Sequence, residues 1–131
     1  MKLQKIKTFK ENTGTLIPIS FKKNIPFKVK RIFILHGKKK YYRGNHAHYK
    51  CSQYFVSLSG SAIISYEYKG NKLKKTLSFS KNSSLLLKPM TWCKIKFNTN
   101  NSKLIVFCDR EYERLDYIKD YNKFKIITNK L

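Results

Sequence analysis

Acidic side chains are scarce in this chain of 131 residues, which carries 7 Asp and Glu against 29 Lys and Arg, a formal net charge of +22. Five of the seven acids lie between Asp109 and Asp120, so the first 108 residues are almost uniformly positive. This imbalance favours anionic partners, among them nucleotides, nucleic acid or an acidic membrane surface.

Long apolar runs are absent too, because no window holds the roughly 18 unbroken apolar residues that a membrane span needs. Cysteine is scarce and odd in number, as Cys51, Cys93 and Cys108, and no basic-then-apolar leader precedes them. We therefore expect a reduced, cytoplasmic protein without a membrane partner. The 41% hydrophobic and 15% aromatic content excludes a disordered chain, and the length predicts one domain over residues 1–131.

Glycine and proline, 5 and 3 in number, occur singly between short apolar runs, a pattern typical of strands and turns. Gly70 and Asn71 predict a tight hairpin turn, and the apolar spacing over Glu113–Phe124 predicts a helix. Eight short strands and one helix predict an all-β double-sheet jelly roll or small barrel. The candidate strands are Phe27–Leu35, His46–Lys50, Gln53–Leu58, Ser61–Tyr68, Lys72–Phe79, Ser84–Leu87, Trp92–Phe97 and Leu104–Cys108.

Arg31 lies at the centre of the first candidate strand, where every second residue shares one face. Its neighbours on that face are apolar, so we expect Arg31 to point inward or into a cleft. Contact with a ligand and an ion pair at the sheet edge are equally good explanations.

The segment Arg43–His48, with the sequence RGNHAH, holds two of the three histidines of the chain. In a strand, His46 and His48 project from the same face, roughly 6 to 7 Å apart at the backbone. A His-x-His pair that follows Gly44 and Arg43 indicates a functional site.

The same pair opens the first metal-binding motif of cupins, in which a carboxylate follows after four residues. Here Gln53 occupies that position, and Lys94 stands near the place of a distant third histidine. A zinc or iron site needs three or four good protein ligands, so we predict a site without metal or other cofactor. Two metal-free imidazoles are suited to moving a proton next to a carbonyl at neutral pH.

Several motifs together resemble the cupin-fold 3,4-ketoisomerases that act on dTDP-4-dehydro-6-deoxyglucose. The similarity spans most of the chain and rests above all on the RGNHAH segment and the Asp-Tyr-Ile ending. The matching segments are Pro26–Phe33, Arg43–His48, Cys51–Tyr54, Pro89–Trp92, Asp109–Tyr112 and Asp116–Phe124.

The resemblance implies a homodimeric cupin jelly roll that moves the ketone of a dTDP-linked 4-keto-6-deoxyhexose from C4 to C3. By similarity, His48 is the principal base and His46 its partner, and Arg43 and Arg31 contact the nucleotide sugar. The segment Cys51–Tyr54 adds two further substrate-binding candidates, Gln53 and Tyr54, although core packing is the simpler role for the tyrosine. The product belongs to a route toward a dTDP-3-amino-3,6-dideoxyhexose for a surface polysaccharide.

Three questions stay open at this level. The first is whether the product has the gluco or the galacto configuration at C4. The second is whether the enzyme is instead a dTDP-sugar 3,5-epimerase, which acts beside the same ketone, or a non-catalytic nucleic-acid-binding β domain, as the charge would suit. The third concerns structure: the roles of Cys51 and Cys93, and whether strands of the N-terminal segment exchange between subunits. If the protein is the isomerase, we expect no nucleic-acid partner.

Overall fold

The computed structural model describes residues 1–130 and consists mainly of antiparallel strands. Two α-helices, α1 (Phe21–Asn24) and α2 (Tyr121–Asn129), and two short 3-10 turns complete it. No helix among these residues is long and apolar enough to cross a membrane. The strands are β1 (Leu3–Lys5), β2 (Phe9–Glu11), β3 (Gly14–Leu16), β4 (Arg31–His36), β5 (Tyr42–His48), β6 (Gln53–Ser59), β7 (Ser61–Tyr68), β8 (Asn71–Ser78), β9 (Ser83–Leu87), β10 (Trp92–Phe97), β11 (Lys103–Cys108) and β12 (Tyr117–Ile118).

The strands form two five-stranded sheets and a small hairpin. The first sheet has the order β1-β9-β6-β11-β4, the second has the order β12-β5-β10-β7-β8, and β2 pairs with β3. The main core lies between the two sheets and includes Phe55, Ile64, Leu85 and Val106. Each such side chain contributes about 1.5 to 3 kcal/mol by leaving water. The predicted all-β jelly roll with a short C-terminal helix is confirmed.

A second apolar layer covers the outer face of the first sheet. Ile25 is buried there, and Phe27 and Val29 pack beside it against Phe107. Residues 27–30 therefore cross this face, and β4 begins only at Arg31, four residues later than predicted. The alternation that suggested a longer strand reflects packing of the N-terminal segment on the sheet and not ladder pairing.

The C-terminal region differs from the prediction of one helix over Glu113–Phe124. A 3-10 turn is followed by β12, which pairs with the end of β5, so that Tyr117 lies opposite His48. Helix α2 begins after Asp120, whose carboxylate accepts the backbone N–H groups of Asn122 and Lys123. Tertiary pairing of the Asp-Tyr-Ile segment thus overrides its apolar spacing.

The hairpin between β7 and β8 turns at Lys69 and Gly70, one residue earlier than predicted. Both residues have positive φ, 49° and 81°, as a two-residue hairpin turn requires. Strand β8 accordingly begins at Asn71, and the pairing of Ser61 with Ser78 closes the far end of the same hairpin.

Candidate active site

A pocket of about 330 Å³ lies between the two sheets. Strands β4 and β6 of the first sheet and β5 and β10 of the second sheet form its walls, and β12 closes one side. The lining residues are Arg31, Phe33, Leu35, Arg43, Gly44, His46, Gln53, Phe55, Cys93, Ile95 and Tyr117. Four of the six predicted site residues, Arg31, Arg43, His46 and Gln53, line this pocket.

A bulge in β5 brings Arg43 and His46 to the same side of the sheet. Arg43 pairs with Ile95 and His46 with Cys93, so their partners are two positions apart in β10 while the residues themselves are three positions apart in β5. Gly44 and Asn45 absorb the extra residue with φ values of 83° and 65°. Without the bulge, the strict alternation of a strand would direct Arg43 and His46 to opposite faces.

The two histidines converge as predicted, and a tyrosine joins them. The rings of His46 and His48 meet edge to face with centroids 5.1 Å apart. The ring of Tyr117 lies 5.0 Å from His46 and 4.3 Å from His48, measured between centroids. Three rings that can carry or donate a proton therefore meet in one small volume.

Asp116 fixes the orientation of His48. Its Oδ2 lies 3.1 Å from His48 Nδ1, and its two oxygens also accept the backbone N–H groups of Lys50 and Cys51. A carboxylate that accepts three hydrogen bonds requires a proton on Nδ1, which leaves the lone pair on Nε2. His48 Nε2 is the basic atom of this ring.

Burial keeps both imidazoles neutral. It lowers the pKa of His46 from 6.5 to about 4, and the neighbouring His48 adds to this effect. Burial also lowers the pKa of His48, although the hydrogen bond to Asp116 opposes the shift. Both rings are therefore free bases near pH 7.

His48 also borders a separate, smaller space. Its Nε2 atom is buried and has no protein partner among residues 1–130. His48 borders a cavity of about 10 Å³ next to the main pocket. His46, Gln53 and Cys93 line both spaces.

Arg31 points inward, as the alternation of β4 predicted. Its Nη2 lies 3.6 Å from the Sγ atom of the buried Cys108, and its guanidinium lies over the rings of Phe33 and Tyr112. The described residues contain no carboxylate within ion-pair distance of it, so the alternative of an edge ion pair is wrong.

Gln53 approaches the same sulfur, with its Nε2 3.9 Å from Cys108 Sγ. Tyr54, the next residue, lies away from the pocket, because adjacent residues of a strand face opposite sides. Its ring packs in the outer layer, and its hydroxyl donates to Ser84 Oγ at 2.7 Å. The structure therefore does not bring Tyr54 to the site.

One group of potential metal ligands exists within residues 1–130. Atoms of His48, Cys51 and Asp116 lie within 4.8 Å of one another. Two backbone amides already engage the carboxylate, and His48 Nδ1 binds the same group. Chelation would compete with these hydrogen bonds. The three residues therefore fit a hydrogen-bonded dyad of His48 and Asp116 better than a metal centre. The metal-free site stays a prediction.

Sequence reasoning did not select Asp116 or Tyr117 as site residues. Both belong to the Asp-Tyr-Ile segment that carried part of the resemblance, and that was the only available signal. The predicted helix concealed their position, because a helix would not have paired with β5 beside His48.

Two antiparallel sheets around a pocket with a histidine–carboxylate dyad define a cupin-type jelly roll equipped for proton transfer. A comparison with protein families matches residues 1–129 to the family described as "FdtA: WxcM-like, C-terminal". The chain belongs to this family.

Relatives with named activities support the same grouping. A TDP-4-oxo-6-deoxy-alpha-D-glucose-3,4-oxoisomerase from Aneurinibacillus thermoaerophilus is 32% identical over 116 residues, which cover 88% of this chain and 83% of the relative. A 3,4-ketoisomerase from Helicobacter canadensis superposes with a TM-score of 0.90 at 29% identity, covering 98% of this chain and 96% of the other.

A third relative carries a ligand. A His-to-Asn variant of the 3,4-ketoisomerase QdtA from Thermoanaerobacterium thermosaccharolyticum, solved with TDP-4-keto-6-deoxyglucose, superposes with a TM-score of 0.90. It is 28% identical, and the alignment covers 98% of this chain and 94% of the other.

Proposed function

We propose that the protein is a sugar nucleotide 3,4-ketoisomerase that converts dTDP-4-dehydro-6-deoxyglucose into a dTDP-3-dehydro-6-deoxyhexose. The observation that carries this proposal is the meeting of the rings of His46, His48 and Tyr117 beside a pocket that two arginines line. The names of the relatives supply the substrate class.

In the proposed mechanism, His48 is the principal base. Its Nε2 removes the C3 proton, which the neighbouring C4 ketone acidifies, and the electron pair of the broken C–H bond forms an enediolate. Asp116 holds the Nδ1–H group and stabilises the imidazolium that results. The C3 hydroxyl then gives up its proton, the C4 oxygen of the enediolate gains one, and a proton is delivered to C4, which leaves the ketone at C3.

For this step, Nε2 must reach the substrate. His46, Gln53 and Cys93 line both its cavity and the pocket. A change of the His46 side-chain rotamer is the movement that this mechanism requires between the two spaces. His46 thus acts as the partner of the base, in line with its position on the pocket wall.

The cationic groups bind the anionic parts of the substrate. Arg31 lies deep in the pocket, where it can stabilise the enediolate oxygen. Arg43 lies nearer the surface and also lines an adjoining open cleft of about 490 Å³ that includes Lys119 and Tyr112. This cleft fits the diphosphate and the base of the nucleotide.

The C4 configuration of the product depends on a second proton path. In the gluco ring, the C3 and C4 hydrogens lie on opposite faces, so one base serves only the galacto outcome. Tyr117, His46 and a water relay are all candidates for delivery from the other face. Both configurations remain compatible with this site.

We also propose a homodimer. Strand β4 lies at the edge of the first sheet, and its outward residues Ile32 and Ile34 are 47% and 59% exposed. A second copy would cover these apolar side chains. I34K should therefore lower the mass measured by analytical ultracentrifugation to that of a monomer. I126K, on an equally exposed residue of α2, is the matched control.

We further propose a cytoplasmic enzyme whose 3-keto product is consumed by amination, on the route to a 3-amino-3,6-dideoxyhexose of a surface polysaccharide. A ketone at C3 is the functional group that an amino-transfer reaction at this carbon requires. Incubation of the product with a transaminase and an amino donor should give a 3-amino sugar nucleotide.

The decisive experiment is incubation of the protein with dTDP-4-dehydro-6-deoxyglucose in heavy water, followed by NMR. The proposal predicts a 3-keto product with no deuterium at C5, and the hydrogen isotope at C4 shows whether the C3 proton is delivered directly or after exchange with solvent. Exchange at C5 as well as C3, with retention of the 4-ketone, would instead identify a 3,5-epimerase. H48N should abolish solvent exchange at C3, and H36N, at an exposed histidine outside the pocket, is the matched control.

A further inference from the structure

The small cavity beside the histidine pair has room for one water molecule. Its volume is about 10 Å³, close to the space that a single buried water needs. Thr91 forms part of its lining together with His48. The backbone N–H of Met90 donates to the carbonyl oxygen of His48 at 2.7 Å, which holds the loop that carries Thr91 against β5.

Both residues carry a buried polar atom without a protein partner. Among residues 1–130, the side-chain atoms in this state are Arg31 Nε, His48 Nε2 and Thr91 Oγ1. Two of these three belong to residues that line the same one-water cavity. Buried polar groups are nearly always hydrogen-bonded, and a water is the usual partner where the protein offers none.

We propose that this cavity binds one water molecule, which bridges His48 Nε2 and Thr91 Oγ1, and that Thr91 is thereby a positioning residue for the base. The role of Thr91 in catalysis rests on the proposed function. The water site itself rests on the cavity and its two polar atoms.

The bridge favours the protonated ring. In the neutral ring, the water donates to the lone pair of Nε2. After proton uptake, Nε2–H donates to the water, which in turn donates to Thr91 Oγ1. Hydrogen bonds from a charged donor are the stronger ones. The water therefore stabilises the imidazolium against the burial that opposes it.

Other groups around His48 act on the same equilibrium. Asp116 and Asp109 favour the charged ring, whereas Arg31 opposes it. His46 and Tyr117 pack against the ring from β5 and β12. Cys51 and Lys88 also line the cavity. T91V leaves all of these groups in place, so it isolates the contribution of the bridge.

The water also lies near the reaction. His46, Gln53 and Cys93 line both its cavity and the main pocket. Because Nε2 has a single lone pair, the water leaves that lone pair when the C3 hydrogen of the substrate approaches, so the bridge acts on the ring before and after the transfer.

The first test measures the site without activity. A crystal structure of the protein should show one ordered water within hydrogen-bond distance of both His48 Nε2 and Thr91 Oγ1. In an NMR titration of labelled histidine, T91V should lower the His48 pKa by about one unit, and T91S should restore it. An empty cavity, or equal pKa values in the wild type and T91V, would overturn the proposal.

The second test measures the effect on the reaction. T91V should lower kcat and move the acidic limb of the pH–rate profile to lower pH, and T91S should recover both. T128V removes a hydroxyl that bonds only within α2, and it controls for the loss of a threonine hydroxyl. An inactive wild type with an intact water and a T91V-sensitive pKa would refute the isomerase assignment but not the bridge.

Discussion

Acid should destabilise this protein through His46, and the size of the effect follows from its burial. The pKa of His46 falls from 6.5 to about 4 in the folded protein, while the unfolded chain keeps the ordinary value. Between these values the unfolded state binds more protons, so the free energy of unfolding decreases as the pH falls from 6.5 to 4. At about 1.36 kcal/mol per pH unit, and with an allowance for the solvent-exposed edge of the ring, the loss is about 2 to 3 kcal/mol.

Urea unfolding between pH 4.5 and 7.5 measures this loss. Trp92 is the single tryptophan of the chain and is buried, so its fluorescence reports unfolding. The H46Q variant should show a shallower dependence of stability on pH than the wild type, because it lacks the titrating ring. H36Q, at an exposed site on β4, is the matched control. Parallel profiles of wild type and H46Q would show that burial of His46 does not oppose its charge.

Three further predictions concern the dyad, the bulge and the metal. D116N should lower kcat/KM by at least about 100-fold, because the imidazolium of His48 loses its counter-charge. D109N is the control, since the carboxylate of Asp109 accepts only the Ser52 amide. An equal loss in D109N would refute the role of Asp116. G44A and G70A should each lose about 1 to 2 kcal/mol of stability, because both glycines have a left-handed backbone. G44A should lose more, because its new Cβ would lie 3.2 Å from the Cys93 carbonyl oxygen, whereas nothing lies near the Cβ of G70A. Equal midpoints in thermal unfolding would contradict this crowding. Dialysis against a chelator should leave the activity unchanged, and a loss that added zinc restores would disprove the metal-free site.

The sequence correctly predicted the direction of site side chains wherever that direction depends on the alternation of successive residues in a strand. His46 and His48 share a face because they are two residues apart, and Arg31 faces the pocket for the same reason. The same rule argues against Tyr54, since a residue adjacent to Gln53 must face the opposite side. That error was avoidable from the period of the strand alone.

The carboxylate of the dyad was beyond the reach of local patterns. Asp116 is 68 residues from His48 along the chain, and only the pairing of β12 with β5 brings the two together. The spacing of Leu115 and Ile118 is compatible with a helix, and nothing local indicates that two residues will instead form a ladder. Long-range pairing of this kind is set by the whole fold.

The position of the acid relative to the histidines differs from that in the metal-binding motif of cupins. In the metal-binding pattern, a carboxylate stands where Gln53 stands here, so that it joins the histidines as a ligand. Gln53 instead approaches the sulfur of Cys108. The acid comes from Asp116, which binds His48 at Nδ1 and two backbone amides. An acid in that position leaves Nε2 as a free base, which is what the proposed proton transfer between C3 and C4 requires.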